Sequence, residues 1–307
     1  MTAAQGLPPG ITVFERGWLS ANNILFTGAD GTALVDSGYF SHAGQTVALI
    51  EGALGQRPLD RLLNTHLHSD HCGGNAALQR RYPGLQTLIP PGLAPYVRNW
   101  DPELLTYTPT GQHCPAFGFE ALLQAGSEIQ LADRAWQVHS APGHDPHSVI
   151  LFETQSRTLI SADALWENGF GVVFPELEGI DAFAELRATL DLIESLNPKI
   201  VIPGHGSVFS DVAKSLAVAR SRLDGFMRAP RKHALHAAKV LVKFKLLELQ
   251  QVHLSEFMVW ANQTAYFRMV QQRHFPELEL SRWLDELTLD LVRSGAAIRE
   301  GEMLLNA

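Results

Sequence analysis

The spacing of hydrophobic residues before about residue 210 alternates between two periods, which predicts a fold of mixed strands and helices. Apolar residues at every second position, or in short continuous runs, indicate strands at 11–19, 22–28 and 32–38. Apolar residues three or four positions apart indicate amphipathic helices at 42–54 and 181–196. Elements that alternate in this way favour sheets whose outer faces are covered by helices.

Beyond about residue 210 the pattern changes, and helical periodicity dominates. Residues 211–294 show this periodicity without a convincing strand, and the tail at 288–305 predicts a helix followed by a turn and a short β-ribbon. We therefore predict an α+β domain over residues 1–212 and a mainly helical region over residues 213–307.

The composition narrows the class of protein. The chain has 307 residues, of which 46% are hydrophobic, so it can bury a large core. A formal net charge of −8 argues against a general nucleic-acid binder. With only two cysteines, Cys72 and Cys114, a disulfide framework is not expected. The sequence shows neither a long apolar run nor a basic leader followed by an apolar segment, so we expect a cytoplasmic protein without a membrane partner.

The segment NTHLHSDHCGGN concentrates side chains that bind metals: His66, His68, Asp70 and His71. In an extended backbone, residues i and i+2 point the same way, so His66 and His68 can bind one ion together. Asp70 and His71 follow at a bend and can face a second ion. The two glycines after Cys72 allow the backbone to turn tightly beside the ions.

Three further candidates follow predicted strands later in the chain. His144 lies in SAPGHDPHS, Asp163 in LISADALW and His205 in VIPGHGSV. Junctions between buried strands and loops commonly carry active-site residues. Imidazole and carboxylate ligands suit zinc, manganese and iron without choosing among these metals.

These motifs together resemble the metal motifs of the metallo-β-lactamase superfamily. HLHSDH is similar to the HxHxDH signature of that family, and PGHD, SAD and PGHG are similar to its later motifs in the same order. LVDSG, which contains Asp36, resembles the early aspartate motif that supports the metal loop. The resemblance covers roughly residues 10–210 and implies a four-layer αββα sandwich, with a helical, winged-helix-like extension after it.

The resemblance also implies a role for each ligand. The implied ligands are His66, His68 and His144 for one metal, Asp70, His71 and His205 for the other, and Asp163 as the bridge. The implied cofactor is a pair of divalent ions, with zinc expected and manganese or iron as alternatives. A hydroxide between the ions would attack the substrate, and Asp70 would also pass a proton to the leaving group.

The expected function is dinuclear metal-dependent hydrolysis of a small-molecule thioester, ester or lactone, because glyoxalase II-type thioesterases and lactonases are the relatives that fit. Three alternatives stay open: a mononuclear-iron persulfide dioxygenase-like oxidoreductase, a phosphodiesterase or nuclease, and a binding protein that has lost turnover. The complete second ligand set argues against the first, and the acidic charge argues against the second. The expected partner is a small molecule rather than nucleic acid, and the helical region is expected to form a lid or a homodimer contact.

Several residues near the motifs have two interpretations. Asp36 supports a metal ligand or simply forms a turn, and Cys72 is expected to pack rather than to bind metal. Trp166 and Phe170 line an apolar substrate pocket or pack in the core. Four basic residues on one face of the predicted helix at 231–250 form either a solvated surface or a stripe that recognises an anionic substrate tail. These four are Lys232, His236, Lys239 and Lys243.

Overall fold

Two β-sheets packed face to face form the first part of the computed structural model, which describes residues 6–307. The first sheet contains, in spatial and chain order, β1 (Ile11–Phe14), β2 (Asn23–Gly28), β3 (Gly31–Val35), β4 (Arg61–Leu63), β5 (Gln86–Ile89) and β6 (Ala121–Leu122). The second contains β7 (Glu128–Leu131), β8 (Arg134–Ser140), β9 (Val149–Glu153), β10 (Thr158–Ala162) and β11 (Ile200–Pro203), again in chain order. The pairs from β3 to β6 and the pair β10–β11 are parallel, and the other pairs in these two sheets are antiparallel.

Helices cover both sheets and form most of the remaining chain. Those within the first two hundred residues are α1 (Ala43–Leu54), α2 (Ser69–Cys72), α3 (Asn75–Arg81), α4 (Ala94–Asn99), α5 (Phe174–Glu178) and α6 (Ala182–Leu196). Those after them are α7 (Val212–Arg228), α8 (Pro230–Leu249), α9 (Leu254–Gln263), α10 (Ala265–His274) and α11 (Leu280–Arg293). A third sheet has the spatial order β12 (Gln251–His253), β14 (Met303–Asn306), β13 (Ala297–Glu300).

Side-chain alternation along the strands explains the layering. In β2, Ile24 and Phe26 pack between the two sheets, whereas Leu25 packs outward beneath α1 and α3. In β9, Leu151 faces the inner core and Ile150 packs with α6 and α7. Each sheet is thus buried on both faces, and the predicted α+β, four-layer αββα arrangement is confirmed.

Two predicted strands end earlier than the sequence pattern indicated. β1 stops at Phe14 because the chain turns at Gly17, whose carbonyl oxygen accepts a hydrogen bond from the Ser20 N–H at 3.1 Å. β3 stops at Val35 because Asp36 adopts a left-handed backbone conformation, with φ of 58°, that a strand cannot continue.

The helical region has its own buried core, which includes Phe257, Phe267 and Trp283. The predicted C-terminal helix and β-ribbon are confirmed as α11, β13 and β14. The prediction of no earlier strand is wrong, because β12 pairs with β14. The boundary at residue 212 stays a prediction. Within residues 6–307, none of the helices combines the length and the apolarity needed to cross a bilayer.

Candidate metal centre

The seven predicted ligands converge close to the ends of strands. His66 and His68 follow β4, and Asp70 and His71 lie in the single turn of α2. The remaining three lie in the loops after β8, β10 and β11; they are His144, Asp163 and His205. Parallel strands that end at one edge of a sheet bring such loops together.

Three imidazoles form the first group of potential ligands. The His68 Nδ1 atom lies 3.1 Å from His66 Nε2 and 2.8 Å from His144 Nε2. These separations approach the roughly 3.3 Å expected between two nitrogens bound about 2.0–2.1 Å from one tetrahedral ion. The three nitrogens therefore fit a shared divalent cation.

The second group contains Asp70, His71 and His205, and Asp163 lies between the two groups. The His205 Nε2 atom is 3.1 Å from Asp70 Oδ2. One Asp163 oxygen lies 3.4 Å from His71 Nε2, and the other lies 3.4 Å from His144 Nε2. A single carboxylate thus reaches both groups, as a bridging ligand would.

Asp36 fixes the orientation of His71. Its Oδ2 atom accepts a hydrogen bond from His71 Nδ1 at 2.8 Å, and its Oδ1 atom accepts one from the Thr65 N–H at 2.9 Å. The opposite ring nitrogen of His71 is buried and has no hydrogen-bond partner within residues 6–307. A buried, unpaired nitrogen aimed at a carboxylate is the arrangement that a metal ion would complete.

One peptide unit orients His144 and also contacts the helical region. His144 Nδ1 donates to the carbonyl oxygen of Val172 at 2.5 Å, which leaves Nε2 to face the cluster. The N–H of the same peptide unit belongs to Val173 and donates to His233 of α8 at 3.3 Å. His233 is itself buried.

Close approaches at two glycines keep the centre compact. A Cβ atom at Gly204 would lie 2.2 Å from Asp163 Oδ1, and one at Gly171 would lie 2.5 Å from His144 Nδ1. Ala162, directly before Asp163, has a φ of 46°, a conformation that costs energy for a residue with a side chain. The surrounding structure holds this strained backbone at the point where the Asp163 carboxylate enters the candidate centre.

Burial and charge set the protonation of the centre. Burial lowers the pKa of His144 to about 4, and the neighbouring His68 adds to this effect. Burial also lowers the pKa of His66 well below its usual value. Burial opposes protonation of His71, but the carboxylates of Asp163, Asp36 and Asp70 outweigh it and raise the pKa of His71. His66 and His144 therefore present neutral imidazoles, the form that binds metals, and the donor set fits divalent cations.

A sequence model described as the metallo-beta-lactamase superfamily matches residues 16–205, which contain all seven residues of this centre. The chain belongs to this superfamily. Its relatives include the hydroxyacylglutathione hydrolase of Anaeromyxobacter dehalogenans (strain 2CP-C), 29% identical over 229 residues, or 74% of this chain and 78% of that protein. The corresponding enzyme of Stenotrophomonas maltophilia (strain R551-3) is 32% identical over 146 residues, 47% of this chain and 46% of that protein. The chain therefore spans most of the first enzyme and about half of the second.

Another relative in the superfamily is the acyl-coenzyme A thioesterase MBLAC2 of Gallus gallus, 25% identical over 210 residues, 62% of this chain and 73% of that protein. A metallo-beta-lactamase family protein from Thermus thermophilus shares the fold over 98% of this chain and 99% of its own, with a TM-score of 0.58 and 18% identity. TTHA1623, solved in a di-iron-bound form, is 26% identical, with a TM-score of 0.55 over 68% of this chain and 98% of its own.

A cavity of about 670 Å³ opens beside the candidate metal centre. Asp70, His144 and Asp163 line one side, and residues of α7 and α8 line the other, including Arg222 and Leu241. The helical region therefore forms part of the cavity wall instead of lying apart from the centre.

Three aromatic residues contribute to this cavity. Trp166 and Phe170 both line it, as one of their two interpretations proposed, and the Trp166 indole N–H donates to Asp163 Oδ1 at 3.2 Å. Sequence reasoning missed Trp18, which stacks on His205 with ring centroids 5.6 Å apart and remains 59% exposed. No motif marks Trp18, because a tryptophan after a short strand is ordinary in sequence.

The two cysteines pack, as expected for Cys72. Both are buried, and their sulfur atoms lie 3.8 Å apart. Cys72 also contacts the Tyr107 hydroxyl at 3.2 Å. Neither cysteine belongs to a cluster of possible metal ligands within residues 6–307.

The basic face of α8 is not a uniform stripe. Lys239 pairs with Asp290 at 3.0 Å, and Lys232 is exposed. Lys243 lines the cavity, but its ammonium group donates to Ala296, Asn306 and Ala307. His236 also lines the cavity, where it contacts Arg222 of α7. The sequence pattern did not single out Arg222.

Proposed function

We propose that this chain is a dinuclear metal-dependent hydrolase whose substrate class is a small-molecule thioester, with esters and lactones as alternatives. The observation that carries this proposal is the Asp163 carboxylate between two imidazole groups beside a cavity of about 670 Å³. The relatives support the thioester class, because two of them are named as a hydroxyacylglutathione hydrolase and an acyl-coenzyme A thioesterase. Zinc is the proposed metal, and iron or manganese are its alternatives.

Divalent ions held by the seven residues would supply Lewis acidity and bring the ionisation of water close to neutral pH. Asp36 and the Val172 carbonyl hold His71 and His144 with one nitrogen directed into the centre. Asp70 lines the cavity, where it would accept a proton and deliver it to the leaving group. Leu241 and Phe244 on the opposite wall would hold an apolar acyl group and exclude water from it.

Metal analysis and a hydrolysis panel test this function together. The protein would be purified without added metal and assayed with a thioester, a lactone, an aryl ester, a phosphodiester and a β-lactam. About two ions per chain with thioester, ester or lactone turnover is the expected result. One iron per chain, no hydrolysis and oxygen uptake with a persulfide would replace the proposal with a dioxygenase. Turnover of the phosphodiester alone would replace it with a nuclease.

A further inference from the structure

A half-buried arginine without an acidic partner lines the cavity on the side formed by α7 and α8. The Arg222 guanidinium donates to His236 Nε2 at 2.7 Å and lies 5.5 Å from the ring centres of both Phe170 and Phe226. Its only other protein acceptor within residues 6–307 is the Asn168 carbonyl oxygen, at 3.5 Å. Since a guanidinium has five N–H donors, most of them have no protein acceptor.

The nearby Arg220 on the same helix has carboxylate partners, whereas Arg222 has none within residues 6–307. Arg220 pairs with Asp191 at 2.7 Å and with Glu194 at 2.8 Å. Within the described chain, residues 6–307, no carboxylate oxygen lies within 4.0 Å of the Arg222 guanidinium, although Glu167 and Glu178 line other parts of the cavity. Burial lowers the pKa of Arg222, as expected when a cation loses water without gaining a partner.

The neighbouring lysines are already paired with oxygen atoms, so Arg222 is the cation that faces the cavity. Lys243 is held by three oxygen atoms at 2.7 Å, and Lys239 is held by Asp290. His236 accepts a hydrogen bond from Arg222, so it acts as a neutral support for the guanidinium. A partly desolvated cation between two aromatic rings binds an anion more strongly than an exposed one does.

We propose that Arg222, positioned by His236, Phe170 and Phe226, is a subsite for a carboxylate or phosphate group of the substrate. This proposal rests on the proposed function, because it places the thioester group of the same molecule at the metal centre. The planar guanidinium can donate two parallel hydrogen bonds to either anion. The substrate would thus be an anionic thioester whose thioester and anionic groups are joined by a chain that lies along the apolar wall.

Calorimetric titration of the metal-loaded protein with non-hydrolysable thioethers tests the subsite independently of turnover. The probes are S-hexyl mercaptopropionate against its amide, S-hexyl phosphopantetheine against S-hexyl pantetheine, and S-(4-carboxybutyl) pantetheine against its amide. These three pairs place a carboxylate on the thiol part, a phosphate on the thiol part, or a carboxylate on the acyl part. The wild-type protein should bind the charged member of at least one pair about 10-fold to 100-fold more tightly.

Matched variants decide whether Arg222 causes this preference. R222M should lose it, and R222K should retain part of it, because lysine keeps the charge but not the planar pair of donors. R228M should keep it, since Arg228 is exposed on the same helix and does not line the cavity. Equal metal content and equal thermal unfolding would establish that the variants are folded.

Two outcomes would overturn the subsite: a wild-type protein without preference in all three pairs, or an R222M variant that keeps the wild-type preference. Hydrolysis of S-hexanoyl pantetheine by the wild-type protein reports on the proposed function separately. Turnover of that thioester without any charge preference in binding would reject the subsite and retain the hydrolase. A charge preference that R222M abolishes, without turnover of any ester, thioester or lactone, would retain the subsite and reject the hydrolase.

Discussion

The metal centre and the wall formed by α7 and α8 lie on opposite sides of one cavity, yet they are built differently. At the centre, side chains are buried, and hydrogen bonds fix their rings, as Asp36 does for His71. At the wall, Arg222 is only half-buried and is held by one histidine and two aromatic rings. Chemistry at a metal requires fixed donor atoms, whereas recognition of a charged group requires a cation that has lost part of its water.

Replacement of Asp163 should impair the candidate metal centre more than any other change proposed below. In Asp163→Ala we expect metal content to fall and kcat/KM to drop at least about 10³-fold, because metal ions contribute several kcal/mol to transition-state stabilisation. Elemental analysis and thioester hydrolysis measure the two effects. Glu167→Ala is the matched control, since this carboxylate lies on the same loop and lines the cavity outside the cluster. Full metal content and full activity in Asp163→Ala would reject the bridging role.

Low pH should lower the folding stability of the wall formed by α7 and α8, because His233 of α8 becomes protonated on unfolding. Burial lowers the pKa of His233 to about 3, with His236 adding to the effect, whereas an unfolded histidine titrates near 6.5. The unfolded chain therefore binds the proton more tightly, so the stability from this group is complete above about pH 6.5 and is lost as pH falls toward 3. The expected loss at pH 4.5 is about 2–3 kcal/mol.

His233→Gln isolates this effect, because glutamine keeps an acceptor for the Val173 N–H without titrating. Thermal unfolding followed by circular dichroism at pH 7 and pH 4.5 gives the comparison, at equal metal content. The variant should lose less of its Tm than the wild-type protein does on acidification. Identical losses would show that His233 does not control the acid sensitivity.

The hydrogen bond that orients His71, a proposed metal ligand, can be weakened without removing His71 itself. In Asp36→Asn we expect metal affinity to fall about 10-fold to 100-fold, because His71 loses a charged hydrogen-bond acceptor. Competition with a chelator measures the affinity. Asp60→Asn is the control, since Asp60 accepts from the Thr32 N–H at 2.8 Å outside the centre. Equal losses in both variants would indicate general destabilisation.

The smallest effect should come from the paired lysine on α8. In Lys239→Met we expect a stability change of no more than about 1 kcal/mol, because its ion pair with Asp290 is partly exposed. Its kcat/KM should match that of the wild-type protein. A loss of activity would restore the interpretation of the basic face as a continuous stripe.

The same contrast explains what the sequence could predict. Four of the candidate ligands lie in one short motif at 66–71, because the i and i+2 geometry of an extended segment and the turn after it bring their side chains together. His66, His68 and His71 were therefore visible as candidates from spacing alone, and the structure places them together. The alternation of strand and helix patterns likewise predicted sheets covered by helices, and in the structure β2 and β9 are buried on both faces.

The wall could not be predicted in this way. Arg222 lies on an amphipathic helix, where arginine is equally typical of a solvated surface, and only the tertiary fold places it beside Phe170. β12 has three residues and depends on pairing with β14, about fifty positions away, so it leaves no local pattern. Trp18 and His205 lie near opposite ends of the matched sequence, residues 16–205, yet their rings stack. Hydrophobic periodicity along the chain does not predict such a contact.

The peptide unit between Val172 and Val173 joins the two sides mechanically. Its carbonyl oxygen holds His144, and its N–H is held by His233 of α8. Because a peptide unit is a rigid plane, neither end can rotate without the other. A displacement of α8 would therefore rotate this peptide unit and with it the ring of His144, a proposed metal ligand. The predicted boundary at residue 212 divides the chain in sequence, but this peptide unit links His144 on one side of the boundary to His233 on the other.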